Sequence, residues 1–469
     1  MNRFNVSALS ISIALIAGCA SMAPNYQRPE APVSAIFPTY GTGAQAPSAS
    51  QAEEIPWRAY FADPRLREVI ALALENNRDL RQAALRVEQA RAQYRIQRAD
   101  LFPMVGIDGS QSAKRLPADL SGTGASVTQR QYDVTVGFSA WEPDIFGRIR
   151  SLGDQAMEQY FATEEAARGV RISLIAEVAQ AWLTLAADRE RLALAWRTYE
   201  SRNQSLDLIR RGHELGALSA LDLRQSETLL EGARADKARY QAVVNRDENA
   251  LVLLVGAPLR PEWLPDALGE SVGAVAELPA GVPSEVLARR PDILQAEHSL
   301  RAMNANIGAA RAAFFPRISL TAQTGTASGT LDGLFGNGSG TWGFMPQVHM
   351  PIFEAGRLQA DLAVAETQRD MGIALYEKAI QTAFREVADA LADKAALGEQ
   401  LGALRALKGA TAESLRLAEA RYRAGADSHL VLLDAQRSLY GAEQQLIDAR
   451  LAADVNRVVM YKVLGGGVL

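Results

Sequence analysis

Arg98-Ala99-Asp100-Leu101-Phe102-Pro103 stands again as Arg311-Ala312-Ala313-Phe314-Phe315-Pro316, 213 residues further along the chain. Upstream, Asp79-Leu80-Arg81-Gln82-Ala83 recurs as Asp292-Ile293-Leu294-Gln295-Ala296 at the same offset. Downstream, Phe146-Gly147-Arg148 is echoed by Phe353-Glu354-Ala355-Gly356-Arg357, Gly216-Ala217 by Gly425-Ala426 and Val255-Gly256 by Leu464-Gly465, with the glycines now 209 apart. So many matches in one order mark a tandem duplication. The change of offset places a longer loop in the first half, between Pro103 and Gly147. Two similar units are expected, residues 55–265 and 266–469, each built of a helix, a β-hairpin and a long helical hairpin.

Proline shows where each unit is helical. None lies between Pro143 and Pro258, and none follows Pro351. Arg148 to Arg211 and Arg357 to Ala424 can therefore run as uninterrupted helices of roughly 100 Å, at about 1.5 Å per residue. Ile175, Val178, Trp182 and Leu185 in the first, and Ile380, Phe384, Val387 and Leu391 in the second, step by three or four residues as one apolar stripe. Helices of this length need partner helices along their sides, as in a coiled coil or helical barrel. Each ends in a break, at Arg211–Ser219 and Arg423–Ser428. Gly216 and Gly425 suit the left-handed residue that closes a helix, and Ser219 and Ser428 suit the N-cap of the helix that returns.

Between the Phe-Pro mark and each long helix the period changes from 3.6 to 2. Tyr132, Val134, Val136 and Phe138 alternate with Asp133, Thr135, Gly137 and Ser139, and Ile318, Leu320 and Ala322 with Ser319, Thr321 and Gln323. Val105–Ser112 and Trp342–Met350 repeat the pattern less sharply. These are four strands of about nine to eleven residues, long enough to cross a bilayer at a tilt. Tyr132, Trp342 and Phe344 suit an interfacial aromatic girdle, and Lys114–Arg130 and Thr326–Gly340 suit outer loops. A soluble hairpin on a helical protein would show the same period. Four strands are too few to close a membrane barrel, which needs at least about eight. Two chains would pool eight strands and three chains twelve, and only the larger number leaves a water-filled lumen.

The N-terminus is of another kind. Val6 to Ala17 is an apolar run behind Arg3, too short to span a bilayer and suited to a signal peptide over residues 1–18. It ends Leu15-Ile16-Ala17-Gly18-Cys19, small residues before the chain's only cysteine. That arrangement is similar to a lipoprotein lipobox, with Cys19 as the acylated residue. Residues 19–54, rich in Pro, Ala and Ser, then read as an extended tether.

Composition excludes other classes. The 469 residues are 48% hydrophobic and 22% charged with a formal net charge of −5, so the chain is globular, and without a basic block no nucleic-acid partner is expected. His213, His298, His349 and His429 lie far apart, and no Gly-x-Ser-x-Gly, P-loop or nucleophilic cysteine is present. No enzyme, cofactor or metal site is expected.

Met22-Ala23-Pro24-Asn25-Tyr26-Gln27-Arg28-Pro29, Arg95-Ile96-Gln97-Arg98-Ala99-Asp100-Leu101-Phe102-Pro103, Arg289-Arg290-Pro291-Asp292-Ile293, Gly308-Ala309-Ala310-Arg311-Ala312-Ala313-Phe314-Phe315-Pro316, Leu432-Leu433-Asp434-Ala435-Gln436-Arg437-Ser438-Leu439 and Leu464-Gly465-Gly466-Gly467 together resemble the TolC-type outer-membrane factors, in their OprM-like lipoprotein branch. The resemblance covers residues 19 to 469. It implies a mainly α protein with membrane β-strands: a trimeric 12-stranded outer-membrane β-barrel, continued by a long periplasmic α-helical barrel. It implies a passive exit duct in a tripartite efflux pump, with a periplasmic adaptor and an inner-membrane resistance-nodulation-division transporter as partners and outer-membrane lipid around the barrel. Gly216, Ala217, Leu218, Ser219, Gly425, Ala426, Asp427 and Ser428 would be the adaptor-docking tips. Leu430 and Asp434 would line the closed constriction with Arg437 beside them, and opening would relieve Leu430 packing and any pairing of Asp434 with Arg437 or Arg421. Pro143 departs from the family, where a non-proline is usual before Asp144. The competing readings are a type I protein secretion duct and a pore-less lipid-anchored coiled-coil scaffold.

Overall fold

The computed structural model describes residues 21–38, 40, 56–122, 124–269 and 284–466. The signal segment, Cys19 and all of residues 41–54 lie outside the described residues. The helices are α1 (Trp57–Tyr60), α2 (Pro64–Asn76), α3 (Arg78–Ala99), α4 (Arg148–Glu214), α5 (Ala220–Val255), α6 (Pro291–Ala312), α7 (Arg357–Arg423) and α8 (His429–Val463). The strands are β1 (Gly106–Leu116), β2 (Val127–Trp141), β3 (Arg317–Ser328) and β4 (Gly340–His349). The duplication is written into these boundaries. Helices α3 and α6 stop at Ala99 and Ala312, α4 and α7 start at Arg148 and Arg357, and α5 and α8 start at Ala220 and His429. Helices α4 and α7 are each 67 residues long, or roughly 100 Å.

The chain divides into two compact units that each gather non-consecutive segments, one from residues up to 30, 86–164 and 295–376, the other from 31–85, 165–294 and 377–469. The first unit holds the sheet, antiparallel in the order β1-β2-β3-β4. Its strands are 11, 15, 12 and 10 residues long, so β1 and β2 run further than their side chains announce. Ala113↔Arg130 to Leu116↔Val127 extend the ladder into the segment expected as loop. Backbone hydrogen bonds carry such pairing, so polar side chains do not prevent it. At the other end of β2 the register shifts between Phe138 and Trp141, and Ala140 adopts φ 51°. Pro143 follows, and the Asp144 carboxylate then accepts from Ile149 N at 3.0 Å and Arg150 N at 2.8 Å, capping α4. Helix α4 therefore starts in step with α7 despite the proline.

Residues 21–28 do not hang free in this unit. Pro24 O accepts from Asn304 Nδ2 at 2.8 Å, and Arg28 and Arg301 both pair with the carboxylate of Glu297, which is 2% exposed. The two guanidiniums outweigh burial and hold Glu297 below the usual carboxylate range. A Cβ on Gly308 would stand 2.7 Å from Ala23 N, so only glycine lets the segment cross α6 there. A proline-rich stretch thus acts as packing where buried partners wait for it.

The second unit has its own apolar core. Trp182, Leu183, Leu185 and Ala186 of α4 pack with Tyr60, Phe61, Leu66 and Ile70, and with Leu251, Val458 and Tyr461. The Trp182 indole donates to Trp263 O at 3.0 Å, which satisfies its one polar atom.

Candidate functional site

Both helical hairpins turn by one device. Gly216 and Gly425 have φ 75° and 71°. Gly216 N donates to His213 O and Ala217 N to Gly212 O, and Gly425 N donates to Tyr422 O and Ala426 N to Arg421 O. These paired bonds satisfy the last carbonyls of α4 and α7. Nothing crowds either glycine, so its role is conformational.

The tips then diverge at matched positions. In the first, Leu218 folds against Gly212, leaving no room for a Cβ there. In the second the same two places are Asp427 and Arg421, joined by bonds of 2.7 and 2.9 Å. Arg421 is thereby committed to Asp427 and holds that carboxyl below its ordinary range. It does not reach Asp434. Ser219 caps α5 reciprocally with Asp222, its hydroxyl accepting from Asp222 N at 3.2 Å while the Asp222 carboxylate accepts from Ser219 N at 3.1 Å. Ser428 has the same extended backbone, but its side chain makes no capping bond. Val431 occupies the place of Asp222 and cannot reciprocate.

One residue ties the tips together, and periodicity gave no sign of it. His429 is buried, its Nδ1 lies 4.0 Å from Asp222 Oδ1, and its ring packs on Tyr422 at 5.4 Å. Burial pushes its pKa down, and the Asp222 carboxylate opposes this without reversing it. A histidine depressed in the packed state favours packing most fully above its unfolded value, about 6.5, and loses that contribution as pH falls below it. Relative to the intrinsic base-catalysed rate, amide protection at residues 423–431 should therefore fall between about pH 7 and pH 5 in the wild type but not in His429→Phe. An identical pH profile in both would remove His429 as the cause.

Leu430, Asp434 and Arg437 stand together on an open face of α8. Leu430 is 60% exposed, and the Asp434 carboxylate pairs with the Arg437 guanidinium of its own helix. The matching residues of α5 are Leu221, Gln225 and Thr228, so only the second hairpin carries this charge.

The sheet supplies the second half of the site. Ile107, Tyr132, Val134, Val136, Phe138, Ile318, Leu320, Ala322, Phe344, Trp342 and Val348 share one face by register. Asp108, Ser110, Asp133, Thr135, Ser319, Thr321, Gln323, Thr341 and Gln347 share the other. Asp133 accepts from Gln131 Nε2 at 2.7 Å on that polar face. Strands β1 and β4 each leave one edge unpaired. A sheet with an apolar and a polar face, and two edges awaiting partners, is a segment of a membrane barrel with lipid outside and water within. The class is that of an outer-membrane β-barrel channel protomer.

Comparison with known proteins gives the same class. The family model "Outer membrane efflux protein" matches residues 69–257 and 282–466. The two matched segments begin 213 residues apart and end 209 apart, the offsets of the internal repeat. The chain is 50% identical over 463 residues to the toluene efflux pump outer membrane protein TtgC of Pseudomonas putida, covering 98% of this chain and 96% of that one. It superposes with TM-score 0.89 on a membrane protein from Pseudomonas aeruginosa, at 45% identity over 96% of this chain and 98% of that one. For the open state of the Neisseria gonorrhoeae MtrE outer membrane channel the values are 0.86, 39%, 96% and 99%. The chain belongs to the outer membrane efflux protein family and has the fold of the TolC-type trimeric channels, four strands per chain. It is an outer-membrane efflux channel protein.

Proposed function

We propose that three copies form a passive exit duct fed by a periplasmic adaptor and an inner-membrane resistance-nodulation-division transporter. The hairpin tips, Gly216–Ser219 and Gly425–Ser428, are the adaptor's docking surface. The duct is closed at rest where Leu430 and Asp434, with Arg437 beside them, ring the axis. Acyl chains on Cys19 add a lipid anchor, which intact mass of the purified protein would detect. The two-faced sheet with two open edges carries the reading, because it has no use in a soluble scaffold and cannot sit in lipid alone. Relatives named for toluene and antibiotic efflux support small-molecule cargo over exported protein chains. Purified full-length protein should be trimeric in mild detergent and give stepwise conductance in planar bilayers. A trimer without conductance, or a monomer that conducts, would overturn it.

A further inference from the structure

We propose that Arg115 and Arg130 form an outward-facing basic pair that binds the phosphate groups of glycolipid in the outer leaflet. The register fixes their direction. Arg130 pairs with Ala113 and Arg115 with Thr128, two residues apart along each strand, so both arginines lie on the face that carries Ile107, Val134 and Val136. They are diagonal neighbours across the β1–β2 pair. Lys114, next to Arg115 in sequence, points to the polar face. Both arginines are exposed. Arg115 reaches only Ser126 Oγ, at 3.5 Å, and Arg130 has no side-chain partner among the described residues.

Their height follows from the same ladder. The apolar face begins at Ile318↔Val348, close to the helices, and ends at Tyr132 on β2, whose β3 partner Ser328 lies ten residues beyond Ile318. Ten residues rise roughly 34 Å along a strand, and a tilt of about 40° reduces this to about 26 Å. An apolar band of about 25 Å is what the membrane requires. Arg130 lies one two-residue step beyond Tyr132, and Arg115 a second step, each about 5 Å higher. They end at the hairpin away from the helices, which is the outer surface of the cell. The outer leaflet there is built of phosphorylated glycolipid. Two planar guanidiniums on the lipid side, just past the apolar band, match its phosphates in charge and geometry.

The inference rests on the barrel reading above, and the two fail separately: conductance tests the barrel, and lipid binding tests the arginines. Full-length trimers in mild detergent are titrated with fluorescent bis-phosphorylated lipid A. The R115Q/R130Q variant should bind about tenfold more weakly or worse, since hydrogen bonds to charged groups are being removed. K114Q should bind as the wild type does, and R115Q/R130Q should still conduct. Dephosphorylated lipid A should bind wild type as weakly as the intact lipid binds R115Q/R130Q, and inorganic phosphate at the probe's concentration should displace nothing. Unchanged affinity in R115Q/R130Q, an equal loss in K114Q, or displacement by inorganic phosphate would each overturn the proposal. If the double variant does not assemble, R115Q and R130Q singly carry the same comparison.

Discussion

Val136→Lys should leave the chain synthesised but unable to assemble as a membrane trimer, while Thr135→Lys, one residue away, assembles and conducts. Val136 sits near the middle of the apolar band, between Ile107 on β1 and Thr324 on β3. A lysine facing lipid at the midplane costs about 2–4 kcal/mol, and three copies raise this to on the order of 6–12 kcal/mol per trimer. That equals the whole stability of an ordinary domain. Thr135 faces Asp108 and the polar side, where an added ammonium meets water and shifts ion preference instead. Heat-modifiable mobility of the trimer on a gel, from isolated outer membranes, reads the difference. Equal trimer yields for both variants would reverse or abolish the assignment of faces.

Asp434→Ala should open the resting channel and turn its ion preference from cations towards anions. With Asp434 present, each Arg437 is paired within its own helix. Removing the carboxylate leaves three unpaired guanidiniums around a narrow axis. That intrahelical pair survives in both states, so the shift comes from repulsion among the three bare guanidiniums, relieved as the ring widens. At about 1 kcal/mol or less for each of the three like-charge contacts in water, it is roughly 1.5–3 kcal/mol, a tenfold to hundredfold rise in the ratio of open to closed. Gln225→Ala, at the matching place on α5, removes no charge and should change conductance little. Planar-bilayer recordings with reversal potentials in a salt gradient report both quantities. If the two variants behave alike, Asp434 is an ordinary surface residue, and the constriction lies elsewhere on the tips.

What the residues announced, and what they hid, divides on physical lines. The repeat, the long helices and the existence of the strands follow from period and from the absence of proline, signals written every few residues. The Schellman turns at Gly216 and Gly425 are equally local. Two features depend on residues far apart in sequence and left no local trace. Arg28 meets Glu297 across 269 residues, so residues 21–28 of the segment that composition presents as a tether are packed. His429 meets Asp222 only because the two tips lie side by side in the second unit. The failed cap at Ser428 is by contrast a local matter, since Val431 stands three residues on where Asp222 answers Ser219. The four strand stretches showed alternation, but which residues share a face of the whole sheet needed the cross-strand register. Leu430, Asp434 and Arg437 came from family likeness, since nothing in their spacing separates them from any polar helix face.

Duplication and trimerisation multiply a substitution differently. The two hairpins of one chain descend from one unit, yet they close with Gly212 and Leu218 in one case and Arg421 and Asp427 in the other. Around the axis of the trimer a change in either half is therefore copied three times and never six. Charge at the tips moves in steps of three, and one hairpin can be rewritten while its sibling is left as it was. Six tips of two kinds let the assembly acquire a new property at half of them without surrendering the other half.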